Sequence, residues 1–476
     1  MAEVWALEDD DETGDGGRPK RSSVLRLPSP VYLTNMNKII PSQPAEWLPA
    51  KVVMLCEPRL ETLYSILQTD SSNFLRPFSL AQAREEHRNY RRALEERGIL
   101  VFDIREALRE RGSAGMPNLR KWAREAITLA FEPAISPKQA TEVASGGLSA
   151  ERRPAPTQNV REGRQSASGS PGATSVAHPI TPKDRAQLEA NLTKALSVLD
   201  AESLVDVILM RPTMRVTYNA DPVDPTTRFT TRFELNDPPS CYYTRDPLIT
   251  TAKGVVITRL RLGKRKPEND IVERALQQIG IKPIYRVQAP GTLEGGDFLP
   301  CGDFVLQGQG LLTNAEGVRQ CLEHKVYGFV EVGVVKDQRN NMDEMHLDTY
   351  FAMLDKDLAA CCDTRLKGEE EPLVDVYAPV GSPKKFSYQL ARTVRFSEYL
   401  KEKGIRVIPF SKREQEDFAP NGLLVGPRQF IGVKQSGKPF ERRLQKAGVQ
   451  TQFISFDALT GGYGGPHCSS QVLVRE

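Results

Sequence analysis

Four short stretches carry polar residues where packing alone would call for apolar ones. GTLEGGDFLP holds Glu294, Gly295, Gly296 and Asp297, two carboxylates around a glycine pair whose backbone is free to turn at positive φ. EMHLDTYFAMLDKDL holds His346 and Asp348, which in a strand would point to one face. TGGYGGPHCSSQVL delivers His467 and Cys468 out of glycine-rich chain just ahead of an apolar run, a setting suited to a nucleophilic thiol. CYYTRDPLIT sets Asp246 directly before a proline. Each stretch alone has a plainer reading: a Gly-Gly turn between acids, a local His–Asp hydrogen bond, a structural cysteine, an Asp-Pro turn. Together they offer a soft nucleophile, an imidazole able to move protons, and several carboxylates.

Positioning such groups needs a regular scaffold, and the chain has one. Four times an amphipathic helix ends on glycine and passes straight into a short strand: ALEERGILVFDI at Gly98, ALQQIGIKPIYRV at Gly280, EYLKEKGIRVIPF at Gly404 and RLQKAGVQTQFISF at Gly448. Glycine suits a left-handed helix C-cap, and the β-branched residue after it starts a strand. CLEHKVYGFVEVGVV around Gly328 is a looser fifth copy. KVVMLCEP, VDVILM, GVVITRLRL, DFVLQGQGLL and GLLVGPRQFIGV are the strand candidates between them. The expectation is an α/β chain of repeating units; the repetition favours a closed, radial arrangement, with an ordinary doubly wound sheet as the alternative.

Two stretches fall outside this pattern. Residues 1–48 read as a tail, acidic at first and then rich in Arg, Lys, Ser and Pro. Residues 135–180 are dominated by Gly, Ser, Pro and Ala, and cannot bury enough apolar surface to offset a backbone entropy of about 1–2 kcal/mol per residue. They read as a disordered insertion between 49–134 and 181–476, the two parts of the ordered chain. Thr181-Pro182 then opens a helix through Leu199.

The motifs YTRDP, LEGGD, MHLDT and GGPHC, in that order, resemble the guanidine-modifying superfamily, which includes arginine deiminase, dimethylarginine hydrolase, agmatine deiminase and the amidinotransferases. MHLDTYFAMLDKDL and SLAQAREEHRNYRRALEERGILVFDIREAL bring the resemblance closest to arginine deiminase. It implies a five-bladed, pseudo-fivefold α/β propeller (pentein) built from ββαβ-like repeats. It also implies that Cys468 attacks the guanidinium carbon, that His346 serves as general acid and then base, and that Glu294, Asp246 and Asp348 grip the guanidinium nitrogens. No cofactor and no metal is implied. Arg265, in RLGKRKPE, matches an arginine that holds the substrate's α-carboxylate; its alternative is a solvated charge in a basic turn. The family pattern is not complete. Leu312 and Thr313 stand where a second carboxylate-binding arginine is expected, Tyr463 stands for an arginine five residues before the nucleophile, and Ser240 for an asparagine. The implied reaction is hydrolysis of L-arginine to citrulline and ammonia, with a dimethylarginine hydrolase, an amidinotransferase or a non-catalytic propeller as alternatives.

Composition narrows the classes further. A formal net charge of +3 on 476 residues gives no global sign of nucleic-acid or membrane binding. Seven scattered cysteines with no CxxC pair argue against a disulfide scaffold or a zinc site. The acidic N-terminus lacks the basic start and apolar run of a signal peptide, and no stretch of ~18 apolar residues exists, so a cytoplasmic protein is expected. The partner is then a small guanidino compound, and self-association stays open.

Overall fold

The computed structural model describes residues 39–67, 78–109, 112–132, 180–218 and 228–476. Five of the sheets in these residues repeat one plan: a central strand pairs antiparallel with one neighbour and parallel with another. The central strands are Ala50–Leu55, Gly254–Ile257, Phe304–Gln309, Leu358–Cys362 and Gln429–Val433. Their antiparallel neighbours are Gln471–Arg475, Leu248–Thr251, Phe298–Cys301, Phe351–Asp355 and Leu423–Gly426. Their parallel neighbours are Leu100–Asp103, Tyr285–Arg286, Glu331–Lys336, Arg406–Phe410 and Gln450–Ile454. The chain's last strand thus completes its first unit. The third unit is widened to five strands by the hairpin Leu373–Ser382 and Lys385–Arg395. A sixth sheet has the same pairing in a different chain order: its parallel neighbour, Thr128–Glu132, precedes the central strand Thr213–Tyr218, and its antiparallel neighbour, Phe229–Glu234, follows it.

A parallel neighbour needs a crossover, and a helix supplies it in every unit: Leu80–Glu95, Pro267–Gln278, Ala315–Glu323, Phe396–Glu402 and Gly437–Lys446. The helix-ending glycines adopt the left-handed conformation expected of them, with φ of 75° at Gly98, 83° at Gly280, 68° at Gly404 and 83° at Gly448. The looser copy spreads this over two residues, Lys325 at 54° and Gly328 at 87°. The core clusters link one unit to the next: Tyr90, Leu94 and Val53 of the first pack with Ile431 and Leu423 of the fifth. Phe396 and Tyr399 of the fourth helix pack with Leu306 of the third unit and Phe440 of the fifth. Full burial of such a side chain stabilises by about 1.5–3 kcal/mol.

Two expectations are corrected here. VDVILM is not a strand but the end of the helix Ala201–Met210. Asp200 caps that helix by accepting from Ser203 N at 2.8 Å, and the buried Leu204, Val205, Ile208 and Leu209 follow a helical period. The expected tail also ends earlier than residue 48. Ser42 N donates to Leu473 O and Arg475 N to Ser42 O, both at 2.9 Å, while Glu46 N donates to Pro300 O at 2.8 Å. Glu46 is 2% exposed and accepts from Arg475 at 2.9 Å, a buried ion pair that a polar, aperiodic sequence does not advertise. The helix after Thr181 is present as Pro182–Val198, with Thr181 and Asp184 forming a reciprocal capping box. The insertion expected at 135–180 lies outside the described residues, apart from Ile180. Among the described residues no helix is long and apolar enough to cross a membrane.

Candidate active site

The residues singled out by type occupy one recurring position, the turn that enters the antiparallel strand of each unit. Asp246 precedes Leu248–Thr251, Glu294 precedes Phe298–Cys301, His346 and Asp348 precede Phe351–Asp355, and Cys468 precedes Gln471–Arg475. The remaining unit supplies Asn421, just before Leu423–Gly426. Nothing about NGLLVGPRQF marks Asn421 as chemical, and sequence reasoning missed it; the signal was its place in the repeat. Its Oδ1 accepts from Gly465 N at 2.7 Å and Cys468 N at 3.3 Å, and its Nδ2 donates to Asp348 O at 3.1 Å.

His346 and Asp348 do share the site, but not as alternate residues of a strand. His346 leads into a short 3-10 turn, Leu347–Thr349. The glycine pair also works differently from expectation. Neither Gly295 nor Gly296 has a positive φ. A Cβ on Gly295 would sit 2.0 Å from Arg245 O, and one on Gly296 would sit 2.7 Å from His346 Nδ1 and 3.0 Å from Asp348 Oδ1. The glycines let three turns approach one another.

The resulting cluster is buried and highly charged. Asp246, Glu294, His346, Asp348 and Cys468 are each at most 4% exposed. His346 Nε2 lies 3.1 Å from Glu294 Oε2, and its Nδ1 lies 3.9 Å from Asp246 Oδ1. Burial works against the imidazolium, but the charge of Asp246, the hydrogen bond to Glu294 and the nearby Asp297 outweigh it and push its pKa up to about 10. Glu294 is held below the usual carboxylate range: burial raises it, and the hydrogen bond and charge of His346, with Arg265 behind, more than offset that. Asp348 is also lowered, with burial outweighed by His467, whose Nδ1 is 2.7 Å from Asp348 Oδ2. His467 was visible in the GGPHC motif, but nothing in its sequence neighbours pointed to this partner.

Cys468 Sγ lies 3.5 Å from the same Asp348 oxygen. Burial, then Asp348 and Asp246, push its thiol well above the normal range. Near neutral pH both shifts favour the protonated forms, the Cys468 thiol and the His346 imidazolium.

Arg265 is not a solvated charge. It is 7% exposed, with Nε and Nη2 on Glu268 at 3.0 and 2.8 Å and Nη1 on Asp246 Oδ2 at 2.9 Å. Its charge is already countered by two carboxylates, so a substrate carboxylate would gain less there than from an unpaired cation. Asp246, Glu294 and His346 also bring ligand atoms within 4.8 Å of one another, a set able to take a cation. A metal there would have to displace the His346 proton and compete with Arg265 for Asp246.

Among the buried side-chain oxygens without a hydrogen-bond partner, three belong to this cluster: Asp246 Oδ1, Asp348 Oδ1 and Asp297 Oδ2. An uncompensated carboxylate oxygen is costly to bury, and such orphans mark the place where a donor is missing.

A buried thiol framed by a His–Glu pair and two further aspartates, carried on the strand-entry turns of five repeated α/β units, defines a member of the guanidine-modifying superfamily. Residues 171–475 match the arginine deiminase family, and the chain belongs to it. The arginine deiminase of Halobacterium salinarum is 28% identical over 335 residues, covering 52% of this chain and 66% of that protein. The N(G),N(G)-dimethylarginine dimethylaminohydrolase of Pseudomonas aeruginosa is 36% identical over 117 residues, covering 25% of this chain and 44% of that one. The matched region thus spans less than two thirds of either relative. Among solved structures, a dimethylarginine dimethylaminohydrolase adduct with 4-chloro-2-hydroxymethylpyridine matches with a TM-score of 0.37 at 23% identity, covering 49% of this chain and 79% of that one. The product-bound N-terminal domain of ArgZ, an arginine dihydrolase of cyanobacteria, matches with a TM-score of 0.39 at 16% identity, covering 50% and 77%.

Proposed function

We propose that this chain hydrolyses a guanidino compound, with L-arginine as the first candidate, to the ureido product and ammonia through a covalent amidino-cysteine. The observation that carries the reading is the pair of unpartnered buried oxygens, Asp246 Oδ1 and Asp348 Oδ1, beside a thiol and a protonated imidazole. A guanidinium has five N–H donors in one plane and can satisfy both oxygens, with Glu294 at a further N–H. Its carbon then presents a face to Cys468.

The thiolate of Cys468 forms the C–S bond, and His346 protonates the departing nitrogen, which leaves as ammonia. Neutral His346 then takes a proton from water as the water oxygen bonds to the amidino carbon. Collapse of that adduct breaks the C–S bond as the remaining hydroxyl proton passes to the departing sulfur, which returns as the thiol, and the ureido product is released. His467 holds Asp348 through Oδ2, so that Oδ1 stays aimed at the substrate. The finer architecture follows the same reading: the five units ring a common axis, and each contributes its entry turn to the centre.

A thiol raised by burial and by two carboxylates should ionise when a cation arrives between them. The pH profile of Cys468 alkylation is expected to shift to lower pH when a non-reacting guanidine is bound. Identical profiles with and without it would refute substrate-assisted ionisation.

The reaction class itself is tested by incubating the protein with L-arginine, agmatine and methylated arginines and weighing the products. Citrulline with ammonia supports the reading, and citrulline with a methylamine moves it to a dimethylarginine hydrolase. An amidino group found on an added amine makes the chain a transferase, and no product from any of these sinks the proposal. EDTA is expected to leave the rate unchanged; loss on chelation with recovery on added zinc would overturn the metal-free scheme.

A further inference from the structure

We infer that Glu46, from the segment ahead of the first repeat, is a positioning residue for the reaction: it steadies the His467 ring against Asp348 and so keeps the guanidinium grip in place. The inference rests on the guanidino-hydrolase reading and adds to it a support that lies outside the four motifs.

Glu46 ends a buried row of polar groups that starts in the site. Asp348 Oδ2 is 2.7 Å from His467 Nδ1, and the other ring nitrogen, Nε2, lies 3.9 Å from Glu46 Oε1. A carboxylate therefore faces each nitrogen of one imidazole. All three residues are at most 5% exposed. Burial raises the pKa of Glu46, but Arg475, then His467 and Arg245, outweigh it and hold it far below the usual carboxylate range. An ionised carboxylate only accepts hydrogen bonds, so the ring stands between two acceptors. A ring held at Nδ1 alone could swivel about that bond, and a fixed group facing Nε2 removes the freedom.

Glu46 is itself fixed. Its Oε2 accepts from Arg475 Nη2 at 2.9 Å and its Oε1 from Gln43 Nε2 at 2.6 Å. Arg245 Nη1 lies 3.7 Å from the same Oε1, and Arg245 returns to the nucleophile loop, with Nε donating to His467 O at 3.3 Å. The backbone around Glu46 is bonded to the first three units: Ser42 N to Leu473 O, Gln43 N to Thr251 O, and Glu46 N to Pro300 O. This short segment therefore carries a charge from outside the repeats to the back of the site.

The room around the row shows that it supports the site and does not form a second one. Glu46, His467 and Asp348 line a cavity of about 10 Å³ with Leu299, Phe351 and Leu424. That space holds one water at most and is too small for a guanidinium.

The test is a double-mutant cycle on KM and kcat for L-arginine, using Glu46→Asp, His467→Asn and the two combined. Glu46→Asp keeps a charge for Arg475 but draws the carboxylate back from His467 by one methylene. His467→Asn keeps a donor near the Nδ1 position for Asp348 and removes the atoms that face Glu46. Glu46→Asp alone is expected to raise KM at least fivefold with a smaller change in kcat. On the His467→Asn background the same change should move KM by less than about twofold, because nothing is left for Glu46 to steady. A merely structural Glu46 would act equally on both backgrounds, and lost folded protein would lower kcat while leaving KM alone. Should the shorter side chain not fold, Glu46→Gln, which keeps the reach and gives up the charge, carries the same comparison. A chain that folds with neither substitution makes Glu46 a structural residue and overturns the inference. So does an active parent whose KM is unchanged by Glu46→Asp, or raised equally on both backgrounds; the hydrolase reading survives either result. A parent that turns over no guanidine means that the hydrolase reading has failed, and the role of Glu46 falls with it.

Discussion

Cys468→Ala is expected to abolish turnover, on the order of 10⁶-fold as when other covalent nucleophiles are removed, while the protein stays folded and still binds its substrate. The loop does not depend on the sulfur. Cys468 N is held by Asn421, Cys468 O accepts from Arg245 N at 3.1 Å, and His467 N donates to Asn421 O at 3.1 Å. Losing one small buried group costs about 1 kcal/mol. Removing a thiol that crowds Asp348 Oδ2 leaves that carboxylate with His467 and its free Oδ1, both as before. Guanidine affinity measured by calorimetry should therefore persist in the variant. Mass analysis of quenched parent enzyme should find the amidino adduct on Cys468 and on none of the six other cysteines. Activity within about tenfold of the parent, or an adduct elsewhere, would sink the assignment.

The fold was legible where local chemistry and tertiary role agree. A helix that must reverse into a parallel strand needs a residue at positive φ, so Gly98, Gly280, Gly404 and Gly448 announced the unit boundaries before any contact was known. Legibility failed where tertiary context overrides a short apolar run. VDVILM has the composition of a buried strand, and only Asp200 and Ser203 upstream say helix. It failed again at Glu46, whose burial depends on Arg475, more than 400 positions away. At the site, residue types were readable and partners were not. His467 acts on Asp348 across 119 positions and Asn421 on the Cys468 amide across 47, contacts that no motif encodes, while Glu268 grips Arg265 from only three positions away. Arg265 shows the limit most clearly. A basic turn suggests solvent or a carboxylate ligand, and only the structure reveals two acids already in place.

His346→Gln is expected to cost more than the ~10²–10⁴-fold of a single general acid, because one imidazole serves both half-reactions. Glutamine can keep a hydrogen bond to Glu294 but cannot carry a proton. It also removes a positive charge from among Asp246, Glu294 and Asp297, and breaking a buried charge pair costs about 3–5 kcal/mol. Loss of activity must therefore be read against a melting curve, and a variant that is folded but inactive is the informative result. The pH dependence separates role from stability. With a folded pKa of about 10 against an unfolded value near 6.5, the native protein binds the extra proton between those limits. This contribution to stability is full below about pH 6.5 and is lost as pH rises through 10, so the pH 7–9 slope of stability should flatten in His346→Gln. In the parent, kcat/KM should show no falling limb near pH 6.5–7, because the general acid keeps its proton there; the decline should come only as pH nears 10. A limb near neutrality would mean that His346 titrates as an ordinary imidazole, and that the carboxylates around it do not hold the proton that ammonia release requires.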